Sequence, residues 1–254
     1  GYWKTTGDTT PFADDWRAAM RTVLTTFRVQ QRKDGPGPYH FQRNSPRASE
    51  NPPLDGYGNP GKPVGLIFSM FRPSDDASML PFLIPANAMA VVCLRQLAAI
   101  WRDVCGLSAD AADASALADE IDAAIRKHAV IDHPQIGQIL AYEIDGFGSY
   151  YCMDDGNVPS LLSLAYLGYL TKDDPLYVNT RKFVLSQFNP YYADGKAAKG
   201  VGSPHTGRGT IWPMALIMQA LTSDSQAEVA ECLKTLRDTH AGTFFMHESF
   251  AKDD

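Results

Sequence analysis

The sequence lacks the patterns that usually mark a cofactor or a metal. Its four cysteines, Cys93, Cys105, Cys152 and Cys232, lie far apart and form no CxxC pair, which leaves a zinc ribbon or a thioredoxin-like motif unsupported. Cys93 and Cys232 fall on apolar helix faces and are expected to be buried thiols. None of the six histidines sits in an HExxH or HxH spacing. The glycine-rich stretches have neither the GxGxxG form nor GxxxxGK followed by Ser or Thr, so dinucleotide and P-loop chemistry find no support. There is no GxSxG elbow for a serine nucleophile. The acidic doublets Asp75-Asp76 and Asp154-Asp155 lack a third aspartate three residues on, where Met79 and Val158 stand, which removes a DDxxD magnesium-diphosphate site. No metal and no cofactor is expected.

Positive charge is also in short supply. Lysine and arginine total 23 against 29 acidic residues, a net charge of −6. That balance argues against nucleic acid and anionic membranes as partners. No apolar run reaches the length of a membrane span. With 44% hydrophobic and 20% charged residues among 254, the composition is that of an ordinary globular domain with a substantial core. The first and last residues both fall in mid-pattern, so the chain is expected to be a stretch of a longer one.

What the sequence does hold is an alternation of two helix types. Amphipathic helices are predicted over 14–31, 109–128, 175–187 and 226–239, each with a stripe such as Leu117, Ile121 and Ile125. Between them come segments apolar almost all round, 86–101, 158–170 and 210–222, expected to be buried on every side. A small hairpin is predicted from Ile139–Ile144 and Ser149–Met153 across Asp145-Gly146-Phe147-Gly148. Polar, Gly-rich loops precede each buried helix. A ring of helices inside another ring would give this order, an all-α fold, and would gather those loops at one end, around helix N-termini that favour hydroxyl-rich or anionic ligands.

The loops carry the candidate site. Asp75 and Asp76 adjoin Arg72; the plainer reading is a surface Arg–Asp pair with an N-cap. Asp154 and Asp155 precede Asn157 and Pro159, which read as a helix start. His205, in Ser203-Pro204-His205-Thr206, is a turn residue or a partner for a ligand hydroxyl. Trp212 is core by default, or a platform for a sugar face. Glu248 lies in a loop among Phe244, Phe245, Met246 and Phe250, and a carboxylate in apolar company is costly unless paired or used. Carboxylates distant in sequence, one per loop, are the equipment of glycoside hydrolysis, where one must donate a proton and the other activate water or attack carbon. On this reading Glu248 faces an aspartate of the Ser74-Asp75-Asp76 stretch across one pocket.

At these loops the chain resembles the metal-independent exo-α-1,6-mannosidases of glycoside hydrolase family 125. The resemblance rests on Tyr2-Trp3-Lys4, Phe71-Arg72-Pro73-Ser74-Asp75-Asp76-Ala77 and Leu83-Ile84-Pro85-Ala86-Asn87. It continues through Tyr142-Glu143-Ile144-Asp145-Gly146-Phe147-Gly148, Met153-Asp154-Asp155 and Asn157-Val158-Pro159-Ser160-Leu161-Leu162. Gly202-Ser203-Pro204-His205-Thr206, Ile211-Trp212 and Phe245-Met246-His247-Glu248 complete it. It departs at Gly156, where the family has alanine. The resemblance implies an (α/α)6 barrel, with residues 1–254 forming a single catalytic domain truncated at both ends. It implies removal of terminal mannose from α-1,6-linked mannosides, including N-glycan or mannan fragments, with inversion and without metal. It puts the general acid on Asp75 or Asp76 and the general base on Glu248. Arg72, Asp154, Asp155, Asn157, His205 and Trp212 become sugar-binding candidates. The competing expectation is a catalytically incomplete barrel fragment that binds sugar or a partner subunit. A weaker one, another barrel carbohydrate enzyme such as a lyase, would want more loop arginines and lysines than Arg72 and Arg208 supply.

Overall fold

A computed structural model describes residues 1–43 and 45–254. The chain is rich in helix, with four small antiparallel sheets among the described residues. Among the described residues eight α-helices follow one another: α1 (Tyr2–Thr6), α2 (Asp14–Gln30), α3 (Ile84–Asp103), α4 (Ser108–His128), α5 (Leu164–Leu167), α6 (Pro175–Val184), α7 (Pro213–Leu221) and α8 (Gln226–Asp238).

The central pairing is α3 against α4. Pro85 stands in the first turn of α3, where a missing N–H costs nothing. Ala88, Val91, Leu94, Ala98 and Trp101 of α3 are buried with Ala111, Ala114, Leu117, Ala118, Ile121 and Ile125 of α4. The alanines let the two backbones approach, and the branched residues fill the gaps between them. A second pair, α7 and α8, encloses a smaller cluster of Ala193, Ala198, Ile211, Leu216 and Cys232.

The sheets tie the loops to this frame. β1 (Phe82–Leu83), β4 (Glu143–Ile144) and β5 (Tyr150–Tyr151) form one three-stranded sheet with β4 in the middle. β2 (Val130–His133) pairs with β3 (Gly137–Leu140), β6 (Tyr192–Asp194) with β7 (Lys199–Val201), and β8 (Thr210–Ile211) with β9 (Phe250–Ala251).

Several expectations need correction. The run Ile139–Ile144 is not one strand: its first half turns back onto β2, and only Glu143 and Ile144 reach Tyr151 and Tyr150. The expected helix over 158–170 shrinks to Leu164–Leu167. The chain before it is wound around the Asp154 carboxylate, and Gly168 at φ 84° ends it in a left-handed turn. The helices expected to be buried on every side are not. α3 exposes Met89, Cys93, Arg95 and Gln96, and α7 exposes Met214 and Leu221. Cys93 is therefore an exposed thiol, while Cys232 is buried as expected. α3 is 20 residues long and holds an 18-residue window of mean hydropathy 1.4, long and apolar enough to cross a membrane, but 56% of that window is buried against the protein, as in a core helix.

Candidate active site

The loop before α3 and the loop before α7 meet at a cavity of about 760 Å³. Arg72, Asp76, Tyr151, Tyr191 and His205 form one side, and the segment from Arg47 to Pro53 forms another. This segment belongs to the long Pro- and Gly-rich connection between α2 and α3.

Two carboxylates border this space: Glu50, which is taken up by Ser45 and Arg47, and the more deeply buried Asp76. Asp76 is only 6% exposed. The Ser74 hydroxyl donates to its Oδ2 at 3.2 Å, and Nδ1 of His205 lies 3.4 Å from its Oδ1. The neighbouring Asp75 is turned away. It takes a positive φ of 68°, which reverses the chain between the two aspartates. Its side chain is exposed and pairs with Arg43 at 2.9 Å.

Arg72 is buried beneath Asp76. Its Nε donates to Oε1 of Glu143 at 2.6 Å, and its guanidinium carbon lies 5.7 and 5.8 Å from the ring centres of Tyr142 and Tyr151. Burial works against this charge, but the hydrogen bond and charge of Glu143 outweigh it and hold the guanidinium ionised. Glu143 itself has no exposure, and its Oε2 accepts from the Met79 and Leu80 amides at 3.1 and 3.0 Å.

The other predicted residues have different jobs. Asp154 accepts from the Leu161 and Leu162 amides at 2.8 and 2.9 Å, closing the turn that leads to α5. Complete burial pushes its carboxyl up to about 7, against the pull of those amides. Asp155 accepts from the backbone and side-chain nitrogens of Asn157 at 3.1 and 2.9 Å, while its Oδ2 has no partner among the described residues. Asp154, Asp155 and Asn157 stand behind the cavity wall and do not border it. Trp212 is 6% exposed and precedes α7; its indole N–H donates to Thr206 at 2.8 Å, bracing the His205 loop. A Cβ on Gly156 would lie 2.6 Å from that of Trp212, so the tryptophan sits closer here than an alanine would allow.

Glu248 is not in the cavity wall. It is exposed, and Phe244, Phe245 and Met246 before it are 87%, 77% and 60% exposed. The expected apolar setting for this carboxylate is absent: those side chains lie open to solvent, with the His240 ring stacked on Phe244 at 4.8 Å. The loop is still tethered near the site: Phe250 pairs with Ile211, one residue before Trp212.

Of the residues named from the sequence, the structure brings Arg72, Asp76 and His205 together at the cavity, and it adds Glu143 behind them and Tyr151 and Tyr191 beside them, which the sequence reading did not name. Glu143 did leave a signal, since a lone acidic residue between Tyr142 and Ile144 in an apolar strand must find a partner. Among the described residues, no three His, Cys, Asp or Glu side chains cluster as a metal site would require.

The family of metal-independent α-mannosidases, glycoside hydrolase family 125, matches over residues 1–254. The Meiotically up-regulated gene 157 protein of Schizosaccharomyces pombe is 45% identical over 258 residues, covering 98% of this chain and 50% of its own length. A Streptococcus pneumoniae metal-independent α-mannosidase, solved in a non-productive complex with α-1,6-mannobiose, superposes with a TM-score of 0.95 at 40% identity. That match covers 99% of this chain and 59% of the other. A bacterial glucoamylase bound to acarbose shares the fold alone, with a TM-score of 0.52 at 17% identity over 68% of this chain and 30% of its own. The chain therefore spans about half the length of its curated relative. It belongs to glycoside hydrolase family 125, the metal-independent α-mannosidases.

Proposed function

We propose that this chain carries an exo-acting α-mannosidase site that removes terminal mannose from α-1,6-linked mannosides, N-glycan or mannan fragments among them, with inversion and without a metal. The observation that carries the proposal is Asp76: a buried carboxylate on the wall of a sugar-sized cavity, bonded by Ser74 and His205 and backed by a buried ion pair. Support for the linkage comes from the α-1,6-mannobiose bound by the Streptococcus relative.

In this reading Asp76, not Asp75, protonates the departing oxygen. Asp75 is occupied by Arg43 outside the cavity. Arg72 and His205 hold sugar hydroxyls from beside the acid. Glu248 is the base that activates water, brought to the opposite face of the sugar by the β8–β9 tether. Inversion requires room for that water, a carboxyl separation of about 6.5–9.5 Å in the working site. The fold behind it is an (α/α)6 barrel to which residues 1–254 contribute as a single domain, α3, α5 and α7 inside and α2, α4, α6 and α8 outside.

A second reading is a chain that binds sugar without turning it over, and the exposure of Glu248 favours it. One experiment separates the two. The protein is incubated with α-1,6-mannobiose and a chelator while proton NMR follows both binding and free mannose. Release with β-mannose appearing first supports the inverting enzyme. Binding without release supports the second reading, and neither binding nor release rejects both.

A further inference from the structure

Asp76 depends for its position on residues 72–80, a loop with no helix or strand of its own. We propose that Glu143 is the positioning residue of this loop: one buried carboxylate grips it on both sides of Asp76 and so fixes where the acid stands. The inference rests on Asp76 being the proton donor. Glu143 itself does not border the cavity.

The grip is symmetrical about the acid. Four residues before Asp76, Arg72 Nε meets Oε1 at 2.6 Å. Three and four residues after it, the Met79 and Leu80 amides meet Oε2 at 3.1 and 3.0 Å. The loop's internal bonds, from the Arg72 amide to the Asp76 carbonyl and from Asp75 to Arg72 at 2.8 and 3.0 Å, shape the turn but do not attach it to the core. Ala77 donates to the Ser49 carbonyl at 2.8 Å and Asn59 to the Met79 carbonyl at 2.9 Å, from the long connection before the loop; the buried, charged attachment is Glu143, whose own backbone is fixed. It pairs with Leu83 on one side and Tyr151 on the other, and Ile84, the first residue of α3, donates to the Tyr142 carbonyl at 2.9 Å. The path from α3 to the acid is thus continuous: helix start, middle strand, carboxylate, loop. A fully buried carboxylate is costly to desolvate, and here three donors, one of them charged, compensate it. Proton transfer tolerates little displacement, so a loosened loop harms the step that needs the proton before it harms binding.

The test uses Glu143→Gln, which keeps the shape and one acceptor but loses the charge. Hydrogen–deuterium exchange is expected to quicken on the order of tenfold at Met79 and Leu80, with α3 and α4 unchanged. Unchanged exchange at those amides overturns the proposal, whether or not the chain turns over. In kinetics, kcat on α-1,6-mannobiose is expected to fall about tenfold or more with KM retained. Hydrolysis of α-mannosyl fluoride, whose fluoride leaves without a proton, is expected to stay within about twofold. Equal losses on both substrates overturn the positioning role. A wild-type chain that hydrolyses neither substrate rejects the mannosidase reading, and the exchange result still decides the grip. Should Glu143→Gln not fold, the Arg72→Met, Glu143→Leu double variant removes both buried charges and serves the same exchange test with the same expected and overturning results.

Discussion

The two loops proposed to supply the carboxyl groups are built very differently. The Asp76 loop is fastened from below by Glu143, from beside by His205 and from within by Ser74, and its aspartate is buried. The Glu248 loop has three large apolar side chains open to solvent and is held mainly by its own turns and by the short β8–β9 pairing. The difference teaches that the fold fixes the Asp76 side, proposed to donate the proton, and leaves the Glu248 side, proposed to activate water, loosely held. A buried carboxylate needs partners to exist at all, whereas an exposed one needs none and gains no fixed position.

The sharpest way to break this comparison is to remove each carboxyl in turn. Asp76→Asn is expected to lower mannose release about a thousandfold, while Asp75→Asn stays within about twofold because its ion pair with Arg43 is exposed. Comparable losses would erase the distinction drawn between the two aspartates. Glu248→Gln is expected to abolish release to a similar degree, about a thousandfold, and to leave mannobiose binding and the melting temperature as they were. A marked fall in melting temperature would mean that the Glu248 loop is packed after all.

Stability separates the regions next. Arg72→Met strands Glu143 without its counter-charge and is expected to cost about 3–5 kcal/mol in urea unfolding. A loss below about 1 kcal/mol, the level of a surface pair, would show that the ion pair does not anchor the wall. Asp154 gives a pH signature. Its carboxyl is raised to about 7 in the folded chain, so between the ordinary carboxyl range and 7 the folded state binds a proton that the unfolded state has lost. Stability contributed by that group is present at the acid end and falls as pH rises through that window, with a slope of about 1 kcal/mol per pH unit. Asp154→Asn is expected to flatten this slope, read from melting curves at pH 5 and 7; an unchanged slope assigns the effect elsewhere. The smallest effect belongs to the open loop. Replacing Phe245 with serine is expected to change stability by less than about 0.5 kcal/mol, since its side chain is open to solvent.

Much of the helix order was legible because helical period and capping are local. α2, α4 and α8 fall within a residue or so of their predicted bounds, since each stripe repeats for several turns. The 158–170 segment misled for the opposite reason. Its leucines suit a helix, but a buried carboxylate captured the amides of Leu161 and Leu162 and bent the chain first. In the site, Asp76 and Asp75 are identical in composition and adjacent in sequence, so only the positive φ between them decides which one meets the cavity.

The sequence alone determined the family, the order of the long helices and the set of loops that bear carboxylates, because residue type and spacing are one-dimensional facts. Only the tertiary structure chose Asp76 over Asp75, made Asp154 and Asn157 supports for a turn, and brought Glu143 under a loop more than sixty residues earlier. Those decisions turn on burial. Whether a charge is shielded, paired or left in water depends on what folds against it, and that is settled by segments far apart along the chain.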